Sequence, residues 1–372
     1  MAVDLTRDLV RFDTRNPPGN EQACAEFLGR RLEAGGFAVE RHEFAPGRTS
    51  LVARIGGAAD RASLCFTGHL DVVPTGAAPW MRDPFAGELD GDRIHGRGSS
   101  DMKAGVAAMV AAALSFAKRL EGSPGLTLVI TAGEETGCEG ASDLARGNAL
   151  GRAGAIVVGE PTSNAPLLGH KGCYRFRCIT RGVTAHSAMP ALGENAIYKA
   201  ARAITALEQF DFDEPSHPVM GPATLVVSQV HGGLNINSVP DRAEIGVDVR
   251  TIPGQDLSRL RARVHATAGS EVEIEEILAL PSIFTSADDN WITSVVAAVE
   301  NIAGIAPATR TAAYFTDGAV LRDAYGGVPT VILGPGEAEM AHQTDESCSV
   351  SRVLESVAIY ERLIDDWIRR VR

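Results

Sequence analysis

Four short runs of apolar residues constrain this chain most: 51–55, 64–67, GLTLVITAG (125–133) and GAIVVGEP (154–161). Runs of that length without polar alternation suit strands covered on both faces, and helical stretches lie between them. One such stretch, GVAAMVAAALSFAKRL (105–120), is rich in small residues that let a helix lie close on a sheet. The pattern predicts an α/β sheet with helices on both sides. Residues 2–34 read as two helices around the turn NPPGN (16–20), where Pro and Gly break the helical period.

The pattern changes after Gly169. CYRFRCITRG (173–182) alternates as a half-exposed strand, and NAIYKAARAITALEQF (195–210) is an amphipathic helix. ATLVVSQVHGG (223–233) and DRAEIGVDVRTIPG (241–254) read as strands, DLSRLRARVHATAG (256–269) as a helix and EVEIEEIL (271–278) as a last strand. The order β-α-β-β-α-β is the split motif of ferredoxin-like α+β domains, here an insertion over 170–282. The first pattern then resumes with a helix over 287–301, a strand GVPTVILG (327–334) and a terminal helix over 351–370. One domain therefore comprises 1–169 and 283–372, and the other lies within it.

Composition narrows the function. With 372 residues, 45 % of them hydrophobic, the chain has material for a sizeable core. A net charge of −12 disfavours nucleic acid or an anionic membrane as partner. No uninterrupted apolar segment of membrane-spanning length and no basic leader are apparent. The six cysteines are scattered without a CxxC pair, which points to reduced thiols and a cytoplasmic home.

Chemistry-bearing residues recur just beyond the apolar runs. CFTGHLDVVPTG places His69 and Asp71 after the second, TAGEETGCEG places Glu134 and Glu135 after the third, and VVGEPTS places Glu160 at the end of the fourth. GRGSSDMKAG sets Asp101 in a glycine-rich loop before a helix, and EMAHQTDES sets His342 in a loop after the late strand. The carboxyl ends of strands are where open α/β sheets put their sites. Two His and several carboxylates without a Cys suit borderline divalent ions such as zinc or cobalt. Two divalent ions would be balanced by three carboxylates and a bridging hydroxide. One shared carboxylate, with one His and one further carboxylate per ion, meets that balance and leaves a spare glutamate as general base.

GHLDVVP, GRGSSDMKAG, GEE, GEPT, GVTAHSAMP and AHQTDE, in this order, resemble the acetylornithine deacetylase / succinyl-diaminopimelate desuccinylase family of co-catalytic zinc amidohydrolases, with aminoacylase and glutamate carboxypeptidase relatives. The resemblance spans nearly the whole chain. It implies a mixed-sheet, zinc-peptidase-like catalytic domain and a lid/dimerisation role for the insertion. It implies that His69 and Glu160 hold one ion, Glu135 and His342 the other, and that Asp101 bridges both, with a cis peptide between Asp101 and Met102. Asp71 would orient the imidazole of His69. Glu134 would be the general base in hydrolysis of an N-acyl amino acid by a metal-activated water.

In relatives the histidine matching His186 arrives from the partner subunit of a homodimer as the oxyanion donor. Asn237 in GLNINSVP and Arg250 in VDVRTIPG match positions that hold the substrate carboxylate. Thr316 in YFTDGAV and the loop from Gly334 to Gly336 are expected to line the amino-acid pocket, and Lys171 to reach it. The motifs mix deacetylase-like and desuccinylase-like features, so acyl group and amino acid stay open. A metallo-dipeptidase or carboxypeptidase using the same site is the alternative, and a non-catalytic binding protein a third reading that the intact ligand set opposes. His342-Gln-Thr-Asp345-Glu346 departs locally from many relatives. His42, His95, His170, His217, His231 and His265 match no role, no GxSxG is present, and no partner pattern supports Cys138 as a nucleophile.

Overall fold

The computed structural model describes residues 1–57 and 61–369. The chain divides into two compact units: 1–169 with 284–312 and 316–372, and 170–283 with 313–315. The first is built on a six-stranded mixed sheet. Its spatial order is Ala38–Ala45, Arg48–Ile55, Leu126–Thr131, Ser63–His69, Ala153–Val158 and Thr330–Ile332. The first three strands pair antiparallel and the last four parallel. Parallel register sets Phe66 beside both Leu128 and Val157, and all three side chains are buried. The carboxyl ends of these parallel strands therefore lie along one edge, where the polar residues of the sequence follow.

Helix Ala104–Leu120 packs against the terminal helix Val350–Arg369, and both contribute to the main core with helices Ala2–Val10, Gln22–Ala34 and Asn290–Ala303. By length and composition 99–120 could cross a bilayer, but most of it is buried inside the protein. Small residues permit this: a Cβ on Gly105 would stand 2.1 Å from the carbonyl oxygen of Gly159. The NPPGN turn carries two cis peptides, Asn16–Pro17 and Pro17–Pro18. It is tied to the sheet by the Thr14 hydroxyl, which donates to the carbonyl of Leu70 at 2.6 Å.

Strands are shorter than the apolar runs suggest, Leu126–Thr131 and Thr330–Ile332 rather than 125–133 and 327–334, because the glycine-rich ends turn away to form the site. The helix expected from 287 begins at Asn290, where the Asp289 side chain accepts the N–H groups of Trp291 and Ile292. Helices Glu139–Arg146 and Gly318–Ala324, and a three-stranded sheet of Glu88–Asp90, Arg93–His95 and Ser347–Ser349, have no counterpart in the sequence reading. Each is too short to display a hydrophobic period.

The second unit carries a four-stranded antiparallel sheet in the order Thr224–Gly232, Arg242–Thr251, Gly172–Arg181, Val272–Leu280. With helices Ala196–Glu208 and Leu257–Ala268 this is the ferredoxin-like β-α-β-β-α-β arrangement. Tyr174, Phe176, Ile245, Val247 and Val249 pack on Ala200, Leu207, Leu260 and Val264 of the helices. The other face bears Arg175, Arg177, Glu244, Asp248 and Arg250, which alternate with the buried set as a period of two requires. A short ribbon, Ala185–His186 with Ser238–Val239, extends this unit.

Candidate metal centre

His69 ends its strand and is buried. Its Nδ1 lies 2.9 Å from the carbonyl oxygen of Asp71, which can only accept, so Nδ1 donates there and Nε2 is the atom left to hold a cation. Nε2 faces Asp101 Oδ1 at 3.2 Å and Glu160 Oε1 at 3.8 Å. On the other side of Asp101, Oδ2 stands 3.4 Å from His342 Nε2, which is 3.1 Å from Glu135 Oε2. Two triads result, His69–Asp101–Glu160 and Asp101–Glu135–His342, with Asp101 in both. The peptide Asp101–Met102 is cis. His342 has φ +64° and is the residue of the two triads most open to solvent, its side chain 53 % exposed.

These residues fit a pair of cations. Acceptor atoms face one another, and Asp101 Oδ1 and Glu135 Oε1 are buried without a hydrogen-bond partner among the described residues. Ligands about 2.1 Å from a tetrahedral ion stand about 3.4 Å apart, and the four contacts bracket that value. Electrostatics agree. Burial raises the proton affinity of Glu134, Glu135 and Glu160, and the clustered carboxylates add to it. Hydrogen bonds to Asp101 and Glu135 lift His342 to about 10. Burial opposes protonation of His69, but Asp101, Glu160, Asp71 and Glu134 outweigh it and raise its pKa. Burial alone would raise Asp101, and the two histidines reverse this and lower it. A buried cluster that retains protons in place of metal is the expected chemistry of a cation site.

Glu134 belongs to neither triad and is buried. Asp71 fixes it, by a route the sequence reading did not anticipate. The Asp71 carboxylate accepts the N–H of Glu134 at 3.1 Å, the N–H of Glu135 at 3.1 Å and the Asn16 side-chain amide at 2.9 Å. Its nearest oxygen is 3.6 Å from His69 Nδ1. The imidazole is thus oriented by the main-chain carbonyl of Asp71, and the side chain is committed to the two glutamates. The expectation for Gly334 and Gly336 is likewise revised. A Cβ on Gly334 would meet Gly159 O at 2.2 Å and Glu160 O at 2.5 Å, and one on Gly336 would meet Ser100 O at 2.1 Å. These glycines let the loop lie against the backbones that carry Glu160 and Asp101.

Thr316 is fully buried, and its hydroxyl accepts the N–H of Gly318 at 3.1 Å. Its neighbour Asp317, missed in the sequence, is buried at the end of the Glu134 strand and accepts from the Thr131 hydroxyl. Burial raises the Asp317 carboxyl to about 6, and its Oδ1 has no hydrogen-bond partner among the described residues. Asn16 and Glu346 were missed too. Only its place at the start of the NPPGN turn marked the first, and nothing marked the second except its place after His342.

His186, Asn237, Arg250 and Lys171 lie in the second unit. His186 and Asn237 are exposed and adjacent across the short ribbon, where the Ser187 N–H donates to the Asn237 carbonyl at 3.0 Å. His186 Nδ1 accepts the Ala188 N–H at 3.0 Å, which leaves Nε2 as the free donor. Arg250 grips Asp248 through two nitrogens, at 2.7 and 3.3 Å, and Arg175 donates to the same carboxylate at 2.7 Å. Lys171 donates to the carbonyl of Pro222 at 2.6 Å.

The family model for peptidase family M20/M25/M40 matches residues 65–366. The chain belongs to that family. An acetylornithine deacetylase of Myxococcus xanthus is 32 % identical over 96 % of this chain and 95 % of its own length. A succinyl-diaminopimelate desuccinylase of Cereibacter sphaeroides is 32 % identical over 98 % of both. Among solved structures, an M20 metallo-carboxypeptidase from Sulfolobus solfataricus superposes with a TM-score of 0.82 at 18 % identity, covering 99 % of each chain. A Bacillus subtilis protein described as a dinuclear metal-binding peptidase of the M20 family gives 0.71 at 18 % identity, over 99 % of this chain and 98 % of that one. As an M20/M25/M40 member, the chain is a metal-dependent hydrolase of amide bonds.

Proposed function

We propose that this M20/M25/M40 hydrolase removes the acyl group from an N-acyl amino acid, in the manner of acetylornithine deacetylase, at a site holding two divalent ions. The observation that carries this reading is the pair of ligand triads sharing Asp101, with Glu134 outside both. The names of the relatives, a deacetylase and a desuccinylase, support a small acyl group. His69 and Glu160 would hold one ion, Glu135 and His342 the other, and Asp101 both. Zinc suits the donor set, and cobalt substitutes. When bound, the ions supply Lewis acidity and make water acidic enough to attack at neutral pH.

The protein's own groups do the rest. Glu134, held by Asp71 through its main-chain N–H, takes the proton of the attacking water and delivers it to the departing amine nitrogen. His186 Nε2–H would donate to the developing oxyanion from a second copy of the chain. Exposed Leu192, Tyr198, Leu234 and Ile236 beside the ribbon favour a homodimer through the inserted unit, which would then act as lid and interface. Arg250 and Asn237 would bind the substrate carboxylate, with Arg250 exchanging Asp248 for it. Six free, buried cysteines favour a cytoplasmic home.

The test is amine release from a panel of N-acetyl, N-succinyl and N-formyl amino acids and dipeptides, with zinc or cobalt added and a chelator control. Chelator-sensitive release from one N-acyl group establishes the deacylase. Release from dipeptides alone replaces it with a peptidase.

A further inference from the structure

Glu346 is a buried carboxylate that the proposed reaction does not use. It is 0 % exposed, and its oxygens accept four donors. Oε1 takes the N–H of Ser100 at 2.8 Å and of Asp101 at 3.0 Å. Oε2 takes the N–H of Gly98 at 2.9 Å and Arg97 Nη1 at 2.6 Å. An ionised carboxylate has about four acceptor positions, so Glu346 has none left for a metal or a proton in flight. Arg97, 2 % exposed, neutralises it, so the pair leaves the charge of the metal centre unaltered.

What the pair contacts defines its role. Three of the four donors are main-chain groups of the loop that presents Asp101. Arg97 also reaches the segment that presents His342, donating to the carbonyl of Gln343 at 3.2 Å. It donates to the carbonyl of Pro74 at 3.2 Å, beyond His69 and Asp71. The two segments are joined further by pairing of Arg93–His95 with Ser347–Ser349 and by the Gly96 N–H on the Glu346 carbonyl at 2.9 Å. Asp345 accepts the Met81 N–H at 2.8 Å, and the Arg97 guanidinium lies over the Trp80 ring, 5.2 Å from its centroid. Loops carrying ligands of both triads thus meet at one buried ion pair.

We infer that Glu346 is the positioning residue of the shared ligand. By fixing the backbone of 98–101 it aims one oxygen of Asp101 at each triad, and through Arg97 it binds that loop to the His342 segment. The two metal sites therefore assemble together. The inference rests on the two-ion reading above. It concerns metal affinity at both sites rather than the chemistry of the bound substrate.

Glu346→Gln tests it. One amide oxygen remains as acceptor, and the NH2 group confronts a main-chain N–H or Arg97. Zinc and cobalt affinities, measured by competition with a chromophoric chelator on metal-free protein, should fall together about 10–100-fold at both sites. The cobalt absorption spectrum should change with them, and Glu346→Asp should recover part of both. His342→Ala is the contrast: it should lose one ion and keep the other. Circular dichroism of the metal-free variants establishes that they are folded. If Glu346→Gln does not fold, Arg97→Lys takes its place. It keeps the charge but loses the fork to Gln343 and Pro74, and it should weaken both sites about 10-fold. A folded variant that binds both ions as wild type does, or that loses only one, overturns the inference. Wild-type protein that binds fewer than two ions overturns the two-ion reading instead.

Discussion

Asp71→Asn isolates the way the centre is supported. The side chain is fully buried, and its two oxygens accept three N–H groups: Asn16 at 2.9 Å and Glu134 and Glu135 at 3.1 Å each. Asparagine retains one accepting oxygen and turns a donor toward a donor. At least one charge-assisted bond is lost and one buried N–H is left unpaired, at a cost of about 2–4 kcal/mol. The loss falls on Glu134 and Glu135. His69 is spared, because its Nδ1–H is held by the main-chain carbonyl of residue 71, which the substitution retains. Metal titration of four proteins separates the sites: wild type, Asp71→Asn, His342→Ala and the double variant. In the His342→Ala background only the ion held by His69 and Glu160 remains, and adding Asp71→Asn should leave its affinity within a few-fold. In the wild-type background the ion held by Glu135 should weaken by about 10–100-fold, and kcat should fall with it. Equal loss of the His69-side ion in the His342→Ala background would refute the reasoning and return Asp71 to the role of imidazole partner.

Glu134→Gln should bind both ions with near wild-type affinity while kcat drops by about 10²–10⁴-fold; weakened metal binding in a titration would make Glu134 a ligand. Gly334→Ala places a methyl 2.2 Å from Gly159 O and 2.5 Å from Glu160 O. The loop must move, costing about 1–3 kcal/mol, and a thermal melt should fall together with affinity for the ion on the Glu160 side. His170 is buried, and burial lowers its pKa from 6.5 to about 4. The unfolded chain therefore binds the proton first on acidification. The stabilisation is complete above pH 6.5 and is lost as pH falls toward 4. With about 1.4 kcal/mol per unit it amounts to about 3 kcal/mol, and His170→Gln should flatten the melting temperature across that window.

Much of the candidate site was legible because polar residues stand where apolar runs stop; Asp101 showed only as a carboxylate in a glycine-rich loop before a helix, and His342 in a loop after the late strand. His69, Glu134, Glu135 and Glu160 follow strands whose register, Phe66 beside Leu128 and Val157, brings their ends to one edge. The β-α-β-β-α-β order of the second unit was legible from its periods. The supports were not, because they act through the main chain. Nothing in the residue type of Asp71 tells whether its carboxylate faces an imidazole two residues back or amides more than sixty residues on. Gly334 and Gly336 looked like pocket lining because a glycine's lack of a side chain suits open space and close contact equally, and only the approach of Gly159 and Ser100 decides. Arg250 read as a free carboxylate grip, and the strand neighbour two residues away fills its fork.

Seven carboxylates lie in or beside this centre, and hydrogen-bond supply separates the supports from the candidate ligands among all but Asp317, which accepts from Thr131 and lies outside both triads. Asp71 and Glu346 have their oxygens occupied by N–H donors, three on the first and four on the second, so each is spent on holding a backbone in place. Among the described residues Asp101 and Glu135 each keep a buried oxygen with no hydrogen-bond donor assigned to it, and with Glu160 they face imidazole nitrogens. Glu134 donates its own N–H to Asp71 and leaves its carboxylate outside the triads. A buried carboxylate deprived of donors must take up a proton or a cation, and one saturated with donors gains nothing from either. The division between ligands and supports thus follows from hydrogen-bond supply, which the fold sets and the residue type does not.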